Sequence, residues 1–311
     1  MEYQNASMPH TGIATFCKAP LETQLDEVDA DIAILGIPYD GATAMRPGSR
    51  QAPRAIRDAS GRFGFLGKEK TNGFYDINRN KTLLKNIKLV DCGDVDVIYF
   101  KEQENLLKIK NSVTQLLNKN CLPVIIGGDH SISYPVLSAY ENFEPLTVIL
   151  FDAHLDYRNE IAGLKLTNNS PFRRAYELGF IKQIINFGIR GIKSTEKDIL
   201  ESKEHGHLIF SNYDIFDNSL ASLMEQIPED IGNYYVSIDI DGLDPSIAPG
   251  TESPEAEGLS FRDVKQIAIE LSKRGNLVGL DLVEVNPYLD HSELTQHIAV
   301  QLLLEVMATK F

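Results

Sequence analysis

A chain of 311 residues with 44 acidic and 30 basic side chains carries a net charge of −14, and no basic run offsets that balance, so an electrostatic nucleic-acid surface is excluded. No apolar run approaches the ~18–20 residues of a membrane span, residues 1–5 have neither the basic nor the apolar region of a signal peptide, and the three widely spaced cysteines, Cys17, Cys92 and Cys121, read as reduced, buried thiols. The expectation is a cytoplasmic protein with neither nucleic acid nor membrane as partner, folded as one domain over residues 1–311, because no composition shift or linker marks a boundary.

Taken in order, residues 1–27 read as an irregular arm whose apolar patch at 12–16 packs on the body or on a neighbouring subunit. Residues 31–37 form the first strand, ending at Pro38 and a turn. Residues 46–57 begin as loop and become a helix, with Pro53 in its first turn. Its arginines, Arg46, Arg50, Arg54 and Arg57, either bind anions or, the favoured reading, pack against an acidic sheet edge or a partner chain. A polar insertion with Asn and Gly turn signals occupies 61–85, a short strand near an edge 87–93, and a helix 102–118.

The strand that ends at Ile126 turns through Gly127 and Gly128 to deliver Asp129 and His130, before a helix over 131–140 capped by Ser131 or Ser133. A wholly apolar strand at 146–151 runs into Asp152, His154 and Asp156, which share one face if the chain stays extended. Ser170 and Pro171 open another helix, 183–189 and 207–210 are strands, and the strand at 234–241 ends in Asp239 and Asp241, with Asp244 and Pro245 at the turn. A helix at 261–273 capped by Ser260, a last strand at 276–283 that runs into Glu284, and a helix at 292–309 complete the chain. About eight strands alternating with helices predict a three-layer α/β/α fold around a mostly parallel sheet.

Open parallel sheets place their ligand crevice at the carboxyl ends of strands. Three such ends here supply His130, Asp152, His154, Asp156, Asp239 and Asp241. Buried together, four carboxylates require compensating charge. Two divalent ions neutralise them, and two ions roughly 3.5–4 Å apart can activate a water between them. Mixed oxygen and imidazole donors suit manganese better than a structural zinc, with nickel or cobalt also accommodated. The alternative for 152–156 is an N-cap cluster at a strand-to-helix turn.

These stretches also carry a resemblance. GGDHSIS at 127–133, DAHLD at 152–156, SIDIDGLDPSIAPGT at 237–251 and GLDLVEVNP at 279–287 resemble the ureohydrolase family of arginases, agmatinases and related guanidino-acid hydrolases, and GIATF at 12–16 with RPGSRQAPRAIR at 46–57 resembles the agmatinase branch. The resemblance implies an arginase-like fold, the same six residues as ligands of two metal ions, and assembly as a homotrimer or homohexamer. It implies Glu284 as the acid that binds a substrate guanidinium, with Asp129 and Asp244 as groups that orient ligands or brace turns; the mechanism expected from these residues passes a proton to the leaving amine through Asp156. Ser237 has no assigned chemistry.

Two positions depart from the family. Asn168 stands where the agmatinase pattern has a histidine, and Asn cannot titrate. Glu252 stands where the family usually has glycine; it attracts a cationic substrate tail, takes over acid–base work, or points to solvent. The expected activity is hydrolysis of a guanidino C–N bond to urea and an amine, with agmatine as first candidate and Asn168 and Glu252 as substrate contacts. Another guanidino acid or a formimino compound is the alternative. A silent subunit of a hetero-oligomer and a deacetylase-like amidohydrolase are further alternatives, and Glu284 in its VEVNP setting argues against the last.

Overall fold

Residues that alternate between two buried faces build the centre of the molecule. The computed structural model describes residues 8–68 and 71–311. The first seven residues of the expected arm, and residues 69 and 70 of the expected insertion, lie outside the described residues. Among the described residues ten strands form: β1 Ile32–Gly36, β2 Phe74–Asp76, β3 Lys81–Leu83, β4 Leu89–Asp94, β5 Leu122–Ile126, β6 Leu146–Phe151, β7 Ile181–Ile189, β8 Leu208–Ser211, β9 Gly232–Asp239 and β10 Gly275–Val283. Eight of them make one sheet in the order β4-β1-β5-β10-β9-β6-β7-β8, every neighbouring pair parallel.

Strands β1, β5 and β6 are buried along their whole length, as near-continuous apolar runs covered on both faces must be. One face, carrying Ile34, Ile126, Ile149, Phe151, Val236 and Leu282, packs under α1 (Ala52–Ser60), α8 (Phe261–Leu271) and α9 (Leu294–Met307). The other, carrying Leu35, Ile125, Val148, Leu150 and Tyr235, packs under α2 (Glu102–Leu117), α3 (Ser133–Leu137) and α4 (Pro171–Tyr176). The expected three-layer α/β/α arrangement with eight main-sheet strands is therefore the observed one. Among the described residues no helix is long and apolar enough to cross a membrane.

Several local expectations are corrected. The insertion at 61–85 contains the antiparallel pair β2–β3, tied to the body where Lys265 bridges Asp76 at 2.8 Å and Glu305 at 2.7 Å. Three helices went unanticipated: α5 (Glu196–Glu204), α6 (Asn212–Asp217) and α7 (Leu220–Met224). Helix α5 reads EKDILESKE, too charged to display an apolar stripe. Helix α3 is shorter than expected, and the cap ahead of it is Asp129, whose carboxylate accepts from Ser131 N at 3.0 Å. Ser170 precedes α4 without capping it; its Oγ donates instead to Lys165 O at 2.8 Å.

Of the four arginines, Arg57 does pack against an acidic sheet edge. From α1 its Nε and Nη2 reach the two oxygens of Asp91 on edge strand β4 at 2.8 and 3.0 Å, and Nη1 reaches Asp94 at 2.6 Å. Asp91 is fully buried and also accepts from Phe16 N at 2.6 Å, which fixes the N-terminal arm. Removing one partner of such a pair leaves an uncompensated buried charge. Arg57→Met is accordingly expected to lower unfolding stability by about 3–5 kcal/mol, measured by denaturant titration.

Candidate metal centre and substrate cleft

Strands β5, β10, β9 and β6 are consecutive at the middle of the sheet, and their carboxyl ends deliver His130, Glu284, Asp239 with Asp241, and Asp152 with His154 and Asp156. All seven are buried. The expected strand alternation is not what aligns them. Strand β6 stops at Phe151 and β9 at Asp239, so the candidate ligands beyond lie in turns.

Each turn is closed by an aspartate that accepts the backbone N–H two residues on: Asp152 from His154 at 2.6 Å, Asp239 from Asp241 at 2.9 Å, and Asp129 from Ser131 at 3.0 Å. The i, i+2 spacing is that of Asx turns. Oδ1 of Asp152 and of Asp239 accepts that backbone bond, and Oδ2 of each faces His130 Nδ1. Asp156 reaches the cluster through left-handed backbone, φ 45°, and Glu284 through φ 62°, conformations uncommon outside glycine.

Two groups result. His130 Nδ1 lies 3.3 Å from Asp152 Oδ2, 3.1 Å from Asp156 Oδ2 and 3.1 Å from Asp239 Oδ2. His154 Nδ1 lies 3.6 Å from Asp152 Oδ1 and 3.1 Å from Asp241 Oδ2. Asp152 turns one oxygen to each group. Both sets have ligand atoms close enough together to hold a metal ion. His130 Nδ1 and Asp152 Oδ2 are buried with no hydrogen-bond partner of acceptable geometry, the mark of atoms shaped for something other than each other.

The outward nitrogens of the two imidazoles explain why Nδ1 faces in. Ser237 Oγ donates to Asp281 Oδ1 at 2.5 Å, so its lone pair accepts from His130 Nε2 at 3.0 Å. His154 Nε2 donates to Glu255 Oε1 at 3.3 Å. With protons held at Nε2, both Nδ1 lone pairs are available as metal donors. Asp281 itself sits in the middle of β10, fully buried and satisfied by the hydroxyls of Ser133 and Tyr235 at 2.7 and 2.9 Å as well as by Ser237. Ser237→Ala is expected to weaken metal affinity about 10–100-fold with the fold retained, measured by metal titration.

Electrostatics point the same way. Burial, then the charges of Asp241 and Asp152, drives Asp239 well above the usual carboxylate range. Burial, then Asp239 and Asp129, does the same to Glu284. Burial opposes charge on both histidines, yet the surrounding carboxylates hold His130 well above its ordinary value and push His154 up to about 12. The centre therefore demands positive charge, which a divalent cation held by these residues would supply.

Sequence reasoning missed four supporting groups. Ser237 and Asp281 had a signal: a carboxylate inside an apolar strand needs partners, and Ser237 lies two residues before Asp239 on the same strand. Glu255 and Arg190 had none. Arg190 is a staple, donating to Asp241 O and Glu255 O at 2.8 Å each and to Ala256 O at 2.8 Å. Gly191 next to it leaves room for an imidazole, since a Cβ there would stand 2.5 Å from His154 Cδ2. Asp129 and Asp244 brace turns: Asp129 accepts from Ala42 N at 2.8 Å, and Asp244 from Ser246 N and Gly258 N at 2.9 Å each.

Beside the two groups opens a cleft of about 130 Å³ lined by Asp156, Asn168, Lys193, Asp241, Glu252 and Glu284 among others. Glu284 accepts from His130 N at 2.8 Å through Oε1, and its Oε2 is buried without a partner. Asn168 Oδ1 accepts from Asn169 Nδ2 at 2.7 Å. Glu252 belongs to the cleft wall, with Oε1 accepting from Met45 N at 3.3 Å.

Comparison with known proteins adds to this geometry. A family model described as the arginase family matches residues 30–309. The mitochondrial guanidino acid hydrolase of Homo sapiens is 32% identical over 301 residues, covering 95% of this chain and 82% of that protein. The agmatinase of Bacillus subtilis is 34% identical over 282 residues, covering 90% and 91%. The solved structure of proclavaminate amidino hydrolase from Streptomyces clavuligerus superposes with a TM-score of 0.83 at 30% identity, covering 97% of this chain and 98% of that one.

Proposed function

Since the chain belongs to the arginase family and is a ureohydrolase acting on the C–N bonds of guanidino compounds, we propose that its substrate is a small linear guanidino compound, agmatine first, and that the residues described above divide the work as follows. The observation that carries this is the unpartnered Glu284 Oε2 buried in the cleft beside the His130 group.

His130, Asp152, Asp156 and Asp239 would hold one metal ion, and Asp152, His154 and Asp241 a second. The donor set suits Mn²⁺, and Ni²⁺ or Co²⁺ would find the same ligands. Such a pair would supply Lewis acidity and lower the pKa of a bound water. Glu284 accepts the N–H groups of the planar guanidinium, a paired contact that fixes both position and plane. In the reaction the oxygen of water ends on the guanidino carbon and the bond to the alkyl-bearing nitrogen breaks. Both protons of water end on that nitrogen, so a guanidinium yields urea and an alkylammonium. Asp156 carries protons to the leaving nitrogen. Asn168 offers the substrate hydrogen bonds only, because its amide cannot titrate.

The wider proposals rest on separate observations. A cytoplasmic location is supported by Cys17, Cys92 and Cys121, all free and buried. Self-association is supported by the exposed apolar stretch of Ile98, Tyr99 and Phe100, and the family resemblance makes a homotrimer or homohexamer the form proposed. Light scattering on the purified chain measures that assembly.

The test of function is urea release by manganese-loaded protein from a panel of guanidino compounds, with formamide release from a formimino compound run alongside. Urea from at least one guanidino compound supports the proposal, and formamide alone transfers it to formimino substrates, whose planar amidine head Glu284 would also fit. No turnover by fully metallated protein would sink it in favour of a silent subunit. Acetate from acetylated amines would favour a deacetylase.

A further inference from the structure

Glu284 is not the only cleft carboxylate with an oxygen to spare. Glu252 Oε2 is buried and has no partner, while Oε1 is held by Met45 N at 3.3 Å. The residue does not swing freely. Arg46 grips its backbone carbonyl through Nε at 2.9 Å and Nη2 at 2.5 Å, and grips Thr251 O through Nη2 at 2.9 Å. That clamp joins the loop after β1 to the loop after β9 and sets the Glu252 carboxylate on the cleft wall.

The cations nearby are already engaged. Arg46 spends its guanidinium on those carbonyls, His154 faces Asp241 and Glu255, and Lys193, the one lysine or arginine lining the cleft among the described residues, is exposed and directs Nζ to Ser253 Oγ at 3.1 Å. Two carboxylates that line the cleft, Glu284 beside His130 and Glu252, thus each carry a buried oxygen without a partner. A buried acceptor left unmade is costly and is answered by a donor on the ligand, most strongly by a charged one.

From this placement we propose that Glu252 is a specificity-determining residue that binds an ammonium group at the far end of the substrate, so that the enzyme's substrate class is the short guanidinoalkylamine, a dication, and not the guanidino carboxylic acid. The proposal rests on the assignment of Glu284 to the guanidinium. A carboxylate tail in the same pose would meet Glu252 as a like charge, which disfavours it.

The test compares 4-guanidinobutylamine, 4-guanidinobutanoate and the neutral-tailed butylguanidine on the metal-loaded protein, using the ratios of their kcat/KM values. Wild type is expected to prefer the amine-tailed over the neutral-tailed compound by at least about tenfold, mainly through KM. Glu252→Gln is expected to reduce that preference by at least about tenfold, whatever it does to the common rate, and Glu252→Lys to reverse the order of amine-tailed and acid-tailed compounds. An equal fall for all three compounds would place Glu252 in the chemistry or in the scaffold and overturn the proposal, as would an unchanged ratio or a wild-type preference for the acid-tailed compound. Calorimetric binding of the three compounds to the same proteins gives the ratios independently of turnover. Tail selectivity in binding with no urea from any compound would therefore count against the ureohydrolase reading alone, and urea release without tail selectivity against Glu252 alone.

Discussion

Exchanging Glu284 for glutamine is expected to lower kcat/KM for the best guanidino substrate by roughly 30- to 5000-fold while metal content stays unchanged. The range is the cost of truncating one partner of a buried charge pair, about 2–5 kcal/mol, converted to rate. Glutamine keeps an acceptor for His130 N, which Glu284 Oε1 now receives at 2.8 Å, so the first metal group loses no support. It removes the charge and one of the two acceptors that a guanidinium fork needs. Kinetics paired with metal analysis of the same preparation decides the matter. A Glu284→Gln enzyme that turns over within a few-fold of wild type would remove Glu284 from substrate binding, and one that loses its metal would make it a structural support.

The second large effect is expected at Asp152. It alone turns an oxygen toward each histidine, at 3.3 Å from His130 Nδ1 and 3.6 Å from His154 Nδ1, so Asp152→Ala takes a donor from both groups at once. Bound metal is expected to fall below one ion per chain, with urea release down at least about 100-fold, since even a misplacement of about 1 Å at the reacting centre costs that much. Asp241→Ala touches only the His154 group and is expected to leave one ion bound.

Thermal unfolding provides a readout that needs no turnover. A ligand at a hundredfold excess over its Kd stabilises the native state by about 2.7 kcal/mol, so added manganese should raise the wild-type Tm by several degrees, Asp241→Ala by less, and Asp152→Ala scarcely at all. Equal stabilisation of all three proteins would show that the ions bind elsewhere.

The side chains gathered at this candidate centre were legible in the chain because burying charge is expensive. Acidic and imidazole side chains gathered at the ends of apolar strands have few explanations besides a cation. Strand pleating does not account for their spacing, however. Asp152, His154 and Asp156 are not aligned by strand pleating; Asx turns at Asp152, Asp239 and Asp129 bend the chain as soon as each strand ends. Short-range spacing alone does not separate the two, because an extended strand and an Asx turn both relate residues two apart.

Other features depend on contacts between segments far apart in sequence. Ser237 reaches His130 and Asp281, Arg190 gathers carbonyls from the turn at Asp241 and from residues 255–256, and Arg46 orients Glu252 from more than two hundred residues away. Alternating apolar strands and amphipathic helices made the layered α/β/α architecture and its eight-strand sheet readable from residue order, since burial on two faces follows from composition within each segment. Strand order does not, because parallel neighbours are joined by long crossovers whose lengths leave the pairing open. That order puts β5, β10, β9 and β6 side by side, and with it come the separation of six candidate ligands into two groups and the orientation of each imidazole.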